Sequence, residues 1–582
     1  MTKKLFSILK DLKLEYSFYF LMLFSVISSL LEILSISSVL PLAGIIIDPE
    51  IFLKNEYLAN FLQHNYFDKI LKENLNNNIA ILLIFLIITI FTTKFLFQIF
   101  FEWYRANIIY NLDRKISSYL YNYYINLPFK FHVNTNTSKL HRNIQGDATS
   151  VSNIFRSLNI IFTDSLIILG LVSILLYIDW FITFATLLFF AFTGSIFLFL
   201  SGKFNVSLGK KVHKESEKRI KHLINGFEGI KDFIIYDKIS NFFELFDKSN
   251  KNYANANKYF SIIISFPKII IEFLFILVIL SVLLYFTLID QSINQFLPVM
   301  TLIVVSMIRI APSCFRIITS NQQIKFNKVS IDNIFKDLKY GIRIKYYPKL
   351  KKSKNFINFN KEIKFKNVNF SYSKGKKILK NLNLNIKKGE FIGIYGSSGS
   401  GKSTFLDILA GLFKPNTGKI ISDNNDIFQN IKSWRKNIGY VPQKVYLLDE
   451  NIAKNVSLEF KKHLNDKKSF KEAINIAGLK NFSNNLKLRQ KDSIGEKGGK
   501  ISGGQAQRVG IARAIYNKPE ILIFDEATSS LDKNIEKKII NSIYKLRGKK
   551  TVIIVSHKLE LLKNCDKIFN FENGKMIKKK FK

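Results

Sequence analysis

The chain is poor in cysteine and in acidic residues, and each shortage excludes something. Two cysteines among 582 residues, Cys314 and Cys565, lie far apart, which rules out a disulfide framework or a cysteine-spaced metal site. Asp and Glu number 44 against 86 Lys and Arg, a formal charge of +42. Clustering of that charge is missing. The lysines are scattered among Asn, Ile and Phe rather than gathered on one face, the footprint of a nucleic-acid binder, so no nucleic-acid partner is expected. Part of the excess instead suits loops held on the inner side of an anionic membrane. A cleavable signal peptide is not expected either. Met1–Ser17 carries four lysines, but the apolar run from about Tyr19 to Ile47 is too long for a signal core and reads as a retained first span.

What is abundant is apolar. Hydrophobic residues make up 48% of the chain, 54 of them Phe, and charged residues only 22%, a composition suited to a surface partly in lipid. The length exceeds one ordinary core, so two or more domains are expected. A spanning helix needs about 20 mostly apolar residues. Six stretches meet or approach that: Tyr19–Ile47, Ile79–Phe101, Leu158–Ile178, Phe181–Leu200, Ile269–Leu288 and Phe296–Ile310. The segments Arg105–Phe155 and Ser201–Lys258 are rich in Lys and Arg, whereas Ile289–Gln295 has no basic residue. Basic loops stay inside, so both termini are expected in the cytoplasm. The two basic segments read as helical extensions that turn back through short polar elements near Thr137–Asp147 and Gly229–Lys238, expected to touch the domain that follows rather than to be ordinary solvated loops. Ile51–Leu71 has helical apolar spacing but is too polar to span, and reads as an interfacial outer helix.

After about Leu350 strands and helices alternate, an α/β pattern. Gly396-Ser397-Ser398-Gly399-Ser400-Gly401-Lys402-Ser403-Thr404 follows the apolar strand Phe391–Tyr395 and opens a helical pattern. Its backbone N–H groups suit a phosphate cradle, Lys402 reaches the outer phosphates and Ser403 ligates Mg²⁺. Ile521–Phe524 is a buried strand leading to Asp525, suited to hold Mg²⁺ through water, and Glu526, suited to polarise the attacking water.

Ile501-Ser502-Gly503-Gly504-Gln505 resembles the signature motif of ATP-binding-cassette proteins, with Ile in place of the usual Leu. Other markers of that family follow in order: Tyr372 resembles the adenine-stacking aromatic, Gln443 in Tyr440-Val-Pro-Gln443 the Q-loop residue near Mg²⁺, Ser529-Ser530-Leu531-Asp532 the D-loop, and His557 the switch histidine. Gly495-Glu496-Lys497-Gly498 resembles the exporter loop before the signature. The resemblance implies ATP and Mg²⁺ as cofactors, and a half-transporter that dimerises, most simply with a second copy, because one motor's signature completes the other's site. It implies a six-span helical domain of the type I exporter fold fused to an α/β P-loop cassette. The expected division is 1–330 membrane domain, 331–360 linker and 361–582 cassette. No peptidase-like region precedes the spans, which disfavours leader-cleaving peptide exporters.

Ionisable groups inside spans are costly and usually functional. Lys94, with Gln98 one turn on, Lys268, with Glu272 at i+4, and Arg309 and Arg316, seven residues apart, offer cations for a phosphate or pyrophosphate headgroup. The alternative is that they snorkel to lipid phosphates or pair with acids such as Glu32, Asp164 and Glu272. Ser38–Gly44, Asn55–Leu58 and Arg309–Ser320 resemble the PglK-type flippases of lipid-linked oligosaccharides. That implies a polyprenyl-pyrophosphate oligosaccharide as substrate and a bacterial inner membrane as location, with lysine at two positions where arginine would grip more firmly. A general lipid or multidrug exporter is the alternative.

Overall fold

The computed structural model describes residues 2–38, 75–178, 180–288, 293–343, 357–372, 375, 377–460, 466–479, 493–528 and 531–579. The interfacial helix expected at Ile51–Leu71 and the Ser38–Gly44 stretch beyond Ser38 lie outside these. The chain divides into two compact units, one of Met1–Leu127 with Asn134–Tyr346, the other of Pro128–Val133 with Tyr347–Lys582.

The first unit, together with the 128–133 stretch that interrupts it in sequence, is helical. A short α1 (Thr2–Asp11) precedes α2 (Glu15–Ser37) and the 51-residue α3 (Leu75–Ile125). At 1.5 Å per residue α3 is about 76 Å long, more than twice a bilayer core of about 30 Å. It therefore spans and continues well beyond, as expected of the basic extensions. The chain reverses earlier than expected. The reversal lies at α4 (Phe129–Asn134), opened by Pro128, which has no N–H to continue a helix and forces Leu127 out of helical geometry. Thr137–Asp147 instead belongs to the returning arm. Asn136 caps α5 (Thr137–Arg142), a π-turn covers Asn143–Asp147, and α6 (Ala148–Ile178) follows. The second reversal falls where expected, as α8 (Ile230–Ile235) between α7 (Trp180–Glu228) and α9 (Ile239–Leu288). Then come α10 (Ile293–Phe326) and α11 (Lys328–Arg343); α11 lies across the start of the expected linker, and its Ile331 and Ile334 are buried.

Among the described residues four helical stretches are long and apolar enough to cross a membrane: Glu15–Ser37, Ile84–Ile125, Thr137–Leu176 and Ile239–Ser281. The long helices α7 and α10 contain the fourth and sixth expected spans. The burial pattern of α2 is inverted relative to a water-soluble helix. Ser25, Ser28, Ser29, Glu32 and Ser35 face inward, while Tyr19, Phe20, Leu23, Leu30 and Leu34 are exposed. With hydrocarbon outside, apolar burial gives no driving force, and small polar residues join the helices by close approach and hydrogen bonds, such as Asn159 on α6 donating to Ser25 at 2.8 Å.

Beyond the spans, polar groups knot the helices. Asp147 on the π-turn accepts from Ser330 at 2.8 Å and lies 3.0 Å from His213 Nε2. Asn333 donates to the same carboxylate at 3.4 Å. Arg142 pairs with Glu217 alongside.

The second unit carries two sheets. A four-stranded antiparallel sheet runs β2-β1-β4-β5, from β1 (Glu362–Phe370), β2 (Leu379–Lys387), β4 (Thr417–Ser422) and β5 (Asn425–Asp426). A six-stranded sheet runs β10-β9-β3-β8-β7-β6, built from β3 (Phe391–Tyr395), β6 (Ile438–Val441), β7 (Ile521–Asp525), β8 (Thr551–Val555), β9 (Lys567–Glu572) and β10 (Lys575–Lys579). It is parallel except for β10. β7 and β8 are buried throughout, as their unbroken apolar runs require of strands covered on both faces. Trp434 anchors the core, wholly buried, its indole N–H donating to Leu409 O at 2.7 Å. The strand ends converge on the phosphate loop.

Candidate functional site

β3 is a buried strand, and the chain leaves it through Gly396 at φ 153° before α12 (Lys402–Leu409) begins. A Cβ on Gly396 would lie 2.4 Å from the carbonyl oxygen of Phe571, so only glycine lets the loop pass this close to β9. Residues 396–401 therefore arch over the N-terminus of α12, with backbone N–H groups and helix dipole available to an anion. Lys402 is buried and donates to the carbonyls of Gly396 and Ser397, both at 2.8 Å. Burial lowers its pKa, against the opposing pull of Glu526 and Asp525.

β7 delivers the two acids. Asp525, its last residue, pairs in register with Val555 of β8 and accepts from the Tyr440 hydroxyl at 3.1 Å, with Ser403 nearby. Burial raises its pKa, and the neighbouring charge of Glu526 adds to that. Oxygen donors on Asp525 and Ser403 are the hard ligands that Mg²⁺ takes, so the pair fits that ion. Glu526 turns out of the strand at φ 51° while its N–H still bonds Val555 O at 3.0 Å. Its carboxylate sits between two partners, His557 Nε2 at 2.7 Å and Gln443 Nε2 at 2.8 Å. The structure thus brings together the three side chains expected to be catalytic, Glu526, Gln443 and His557, from the ends of β6, β7 and β8.

Tyr372 is 40% exposed. Its ring meets Phe370 and Phe413 edge-on at 5.1 and 5.2 Å, and its hydroxyl lies 3.0 Å from Thr404 Oγ1. Ser502 caps α13 (Gly503–Tyr516): its hydroxyl accepts from Gln505 N at 3.2 Å, and Gln505 Oε1 accepts from Ser502 N at 2.9 Å. This capping box fixes the signature's side chains and leaves the Gly503 and Gly504 end of the helix as an anion-facing N-terminus. Asp532 stands at the N-cap position of α14 (Lys533–Tyr544) with no side-chain capping bond; Ser529 and Ser530 lie outside the described residues.

The intramembrane cations are compensated within the chain. Lys94 meets Glu32 at 2.8 Å, both side chains under a tenth exposed, with Ser35 accepting at 3.1 Å and Gln98 also donating to Glu32 at 3.2 Å. Arg316 grips Asp164 with two nitrogens, at 2.8 and 2.6 Å, and reaches Ser313 at 3.0 Å. Lys268 faces Glu272 at 3.8 Å with both side chains 64% exposed. The pairing alternative is therefore realised for these three; the Arg309 side chain is outside the described residues. Sequence reading gave no role to Tyr440, although it stands in the quoted Tyr440–Gln443 stretch, or to Asp407, whose half-buried carboxyl is pushed up to about 6, chiefly by desolvation and then by Asp525.

The family model described as ABC transporter matches residues 379–529, and that described as ABC transporter transmembrane region matches 52–312. Over 220 residues the chain is 40% identical to the alpha-hemolysin translocation ATP-binding protein HlyB of Escherichia coli, covering 38% of this chain and 31% of the relative. Over 218 residues it is 39% identical to the leukotoxin translocation ATP-binding protein LktB of Mannheimia haemolytica, covering 37% and 30%. The chain thus spans under a third of the length of these relatives. A solved bacterial Atm1-family ABC exporter with ATP bound superposes with a TM-score of 0.76 at 18% identity, covering 97% of this chain and 95% of that one, which establishes a shared fold. With both family regions present and the nucleotide-site residues assembled, the chain carries the two parts of an ABC transporter, a transmembrane region and a nucleotide-binding domain, in the fold of that exporter.

Proposed function

We propose that the chain is an ATP-driven exporter that works as a homodimer and flips a polyprenyl-pyrophosphate-linked oligosaccharide from the cytoplasmic to the outer leaflet of a bacterial inner membrane. The motor half of this reading rests on one observation, Glu526 held between Gln443 and His557 beside Asp525. A carboxylate so placed accepts a proton from water, while the glutamine and histidine fix its direction. Mg²⁺ bound by Ser403 and Asp525 would neutralise phosphate charge, and Lys402 would exchange its carbonyl partners for phosphate oxygens. The Gly503–Gly504 helix end would close on ATP held by the second copy.

The substrate half is supported by Lys94 and Arg316, cations within apolar helices, and by the flippase resemblance. Because Glu32 and Asp164 already hold them, a pyrophosphate would have to displace or share those carboxylates; the Arg316 side chain, 47% exposed, keeps a face open for that. α8 exposes Ile230, Ile234, Ile235 and the adjoining Tyr236, an apolar tip suited to docking on a motor domain. A second reading is export of a protein, favoured by the toxin translocators among the relatives.

Purified protein in liposomes carrying labelled polyprenyl-pyrophosphate oligosaccharide tests the proposal. ATP-dependent loss of label from one leaflet, absent in Glu526→Gln, is the expected result. Hydrolysis without flipping would sink the substrate assignment and favour another lipid, a drug or a protein as cargo.

A further inference from the structure

β6 is the edge strand of the six-stranded sheet, and it pairs in parallel with β7. In that register Tyr440 lies beside Ile523, two residues before Asp525. Side chains two residues apart on a strand share a face, separated by about 6.6 Å, a span that a phenol leaning along the strand crosses. The Tyr440 hydroxyl accordingly lands 3.1 Å from Asp525 Oδ2. The ring packs against the cassette core, so its body is fixed and only the hydroxyl is addressed to the site.

We propose that Tyr440 is a positioning residue for the metal site, its hydroxyl holding the Asp525 carboxylate in the orientation that meets Mg²⁺. Asp525 ends a strand, and its carboxylate accepts from the Tyr440 hydroxyl. Without that anchor the group is freer to turn about its side-chain bonds. The tyrosine supplies that anchor from a neighbouring strand, in the way that outer hydrogen-bond partners orient the ligands of metal sites generally. β6 leads directly into Gln443, so one strand fixes both the metal carboxylate and, through Gln443, the base Glu526. This inference rests on the nucleotide-site reading given above.

The test uses full-length protein in nanodiscs, in a Glu526→Gln background so that ATP stays intact. Mn²⁺ binding in the presence of ATP is read by electron paramagnetic resonance, and ATP affinity is read separately in EDTA. Tyr440→Phe removes only the hydroxyl and keeps the ring. The expected result is Mn²⁺ binding weakened about tenfold or more, with ATP affinity in EDTA and the thermal midpoint unchanged. Unchanged Mn²⁺ binding in Tyr440→Phe, with binding lost in Asp525→Asn, would overturn the role of Tyr440 alone. Equal losses with and without metal would overturn it too, by showing a packing role. Unchanged Mn²⁺ binding in Asp525→Asn would overturn the metal-site reading and this inference with it.

Discussion

Replacing Glu32 by alanine strips the counter-charge from an ammonium that apolar helices bury. The two charges stand 2.8 Å apart, with side chains 7% and 6% exposed. At an effective dielectric of 20 Coulomb's law gives their attraction as about 6 kcal/mol, and desolvating each ion costs several kcal/mol in return. The intact pair therefore nets close to zero against an apolar substitute, whereas losing one partner leaves a penalty of about 3–5 kcal/mol. Glu32→Ala should lower the thermal midpoint in nanodiscs by roughly 5 °C or more, Lys94→Met should do likewise, and the double variant should return near the parent. Losses in the double variant equal to the sum of the singles would refute the reasoning, because they would show two independent packing defects. The same pair tests the substrate reading. If Lys94 serves an anionic headgroup by leaving Glu32, then Glu32→Gln lowers the apparent KM for that substrate while Lys94→Met raises it; identical shifts in both would exclude the exchange.

Other outcomes follow from the cassette. Glu526→Gln should retain ATP and lose turnover by at least two orders of magnitude, measured by phosphate release and by trapped radiolabelled nucleotide; normal hydrolysis would remove Glu526 from the base role. Gly396→Ala sets a methyl against the Phe571 carbonyl at a φ alanine avoids, and should cost several kcal/mol and most ATP binding. Gly399→Ala, at φ 75° with open space around it, should cost only about 1–2 kcal/mol in the same binding and melting assays. Asp407 carries a carboxyl raised to about 6, so the folded chain holds this proton more tightly than the unfolded one. Stability from this group is present at low pH and falls as pH rises towards 6. Asp407→Asn should therefore raise the thermal midpoint at pH 7.5 and raise it less at pH 5; equal gains at both would exclude the titration.

The phosphate loop was legible in sequence because its parts are local: strand, glycines, lysine and helix follow within one short stretch, and backbone N–H groups need no distant partner. The spans were legible for a similar reason, since length and apolarity are properties of a single segment. Charge partners were only partly so. Glu32, Asp164 and Glu272 could be named as acids within reach, but Arg316 and Asp164 are 152 residues apart, and only helix packing decides that they meet. Tyr440 and Asp525, 85 residues apart, meet because two strands pair in one register, and nothing in the tyrosine's own neighbourhood announces it. The early reversal at Phe129 did carry a local signal, the Leu127-Pro128 step, which the polar content of Thr137–Asp147 outweighed in the reading.

Asp147 has a consequence for motion. Its carboxylate takes bonds from α7 through His213 and from α11 through Ser330 and Asn333, while its own backbone belongs to a π-turn at the head of α6. Apolar packing lets helices slide by small amounts at little cost, but hydrogen bonds are lost within about half an ångström and a few tens of degrees. Three helices joined at one acid therefore behave as a single stiff lever, displaced together or, once the bonds part, released together. A π-turn holds one residue more than an α-turn, and that spare residue gives the lever a place to change register in one step.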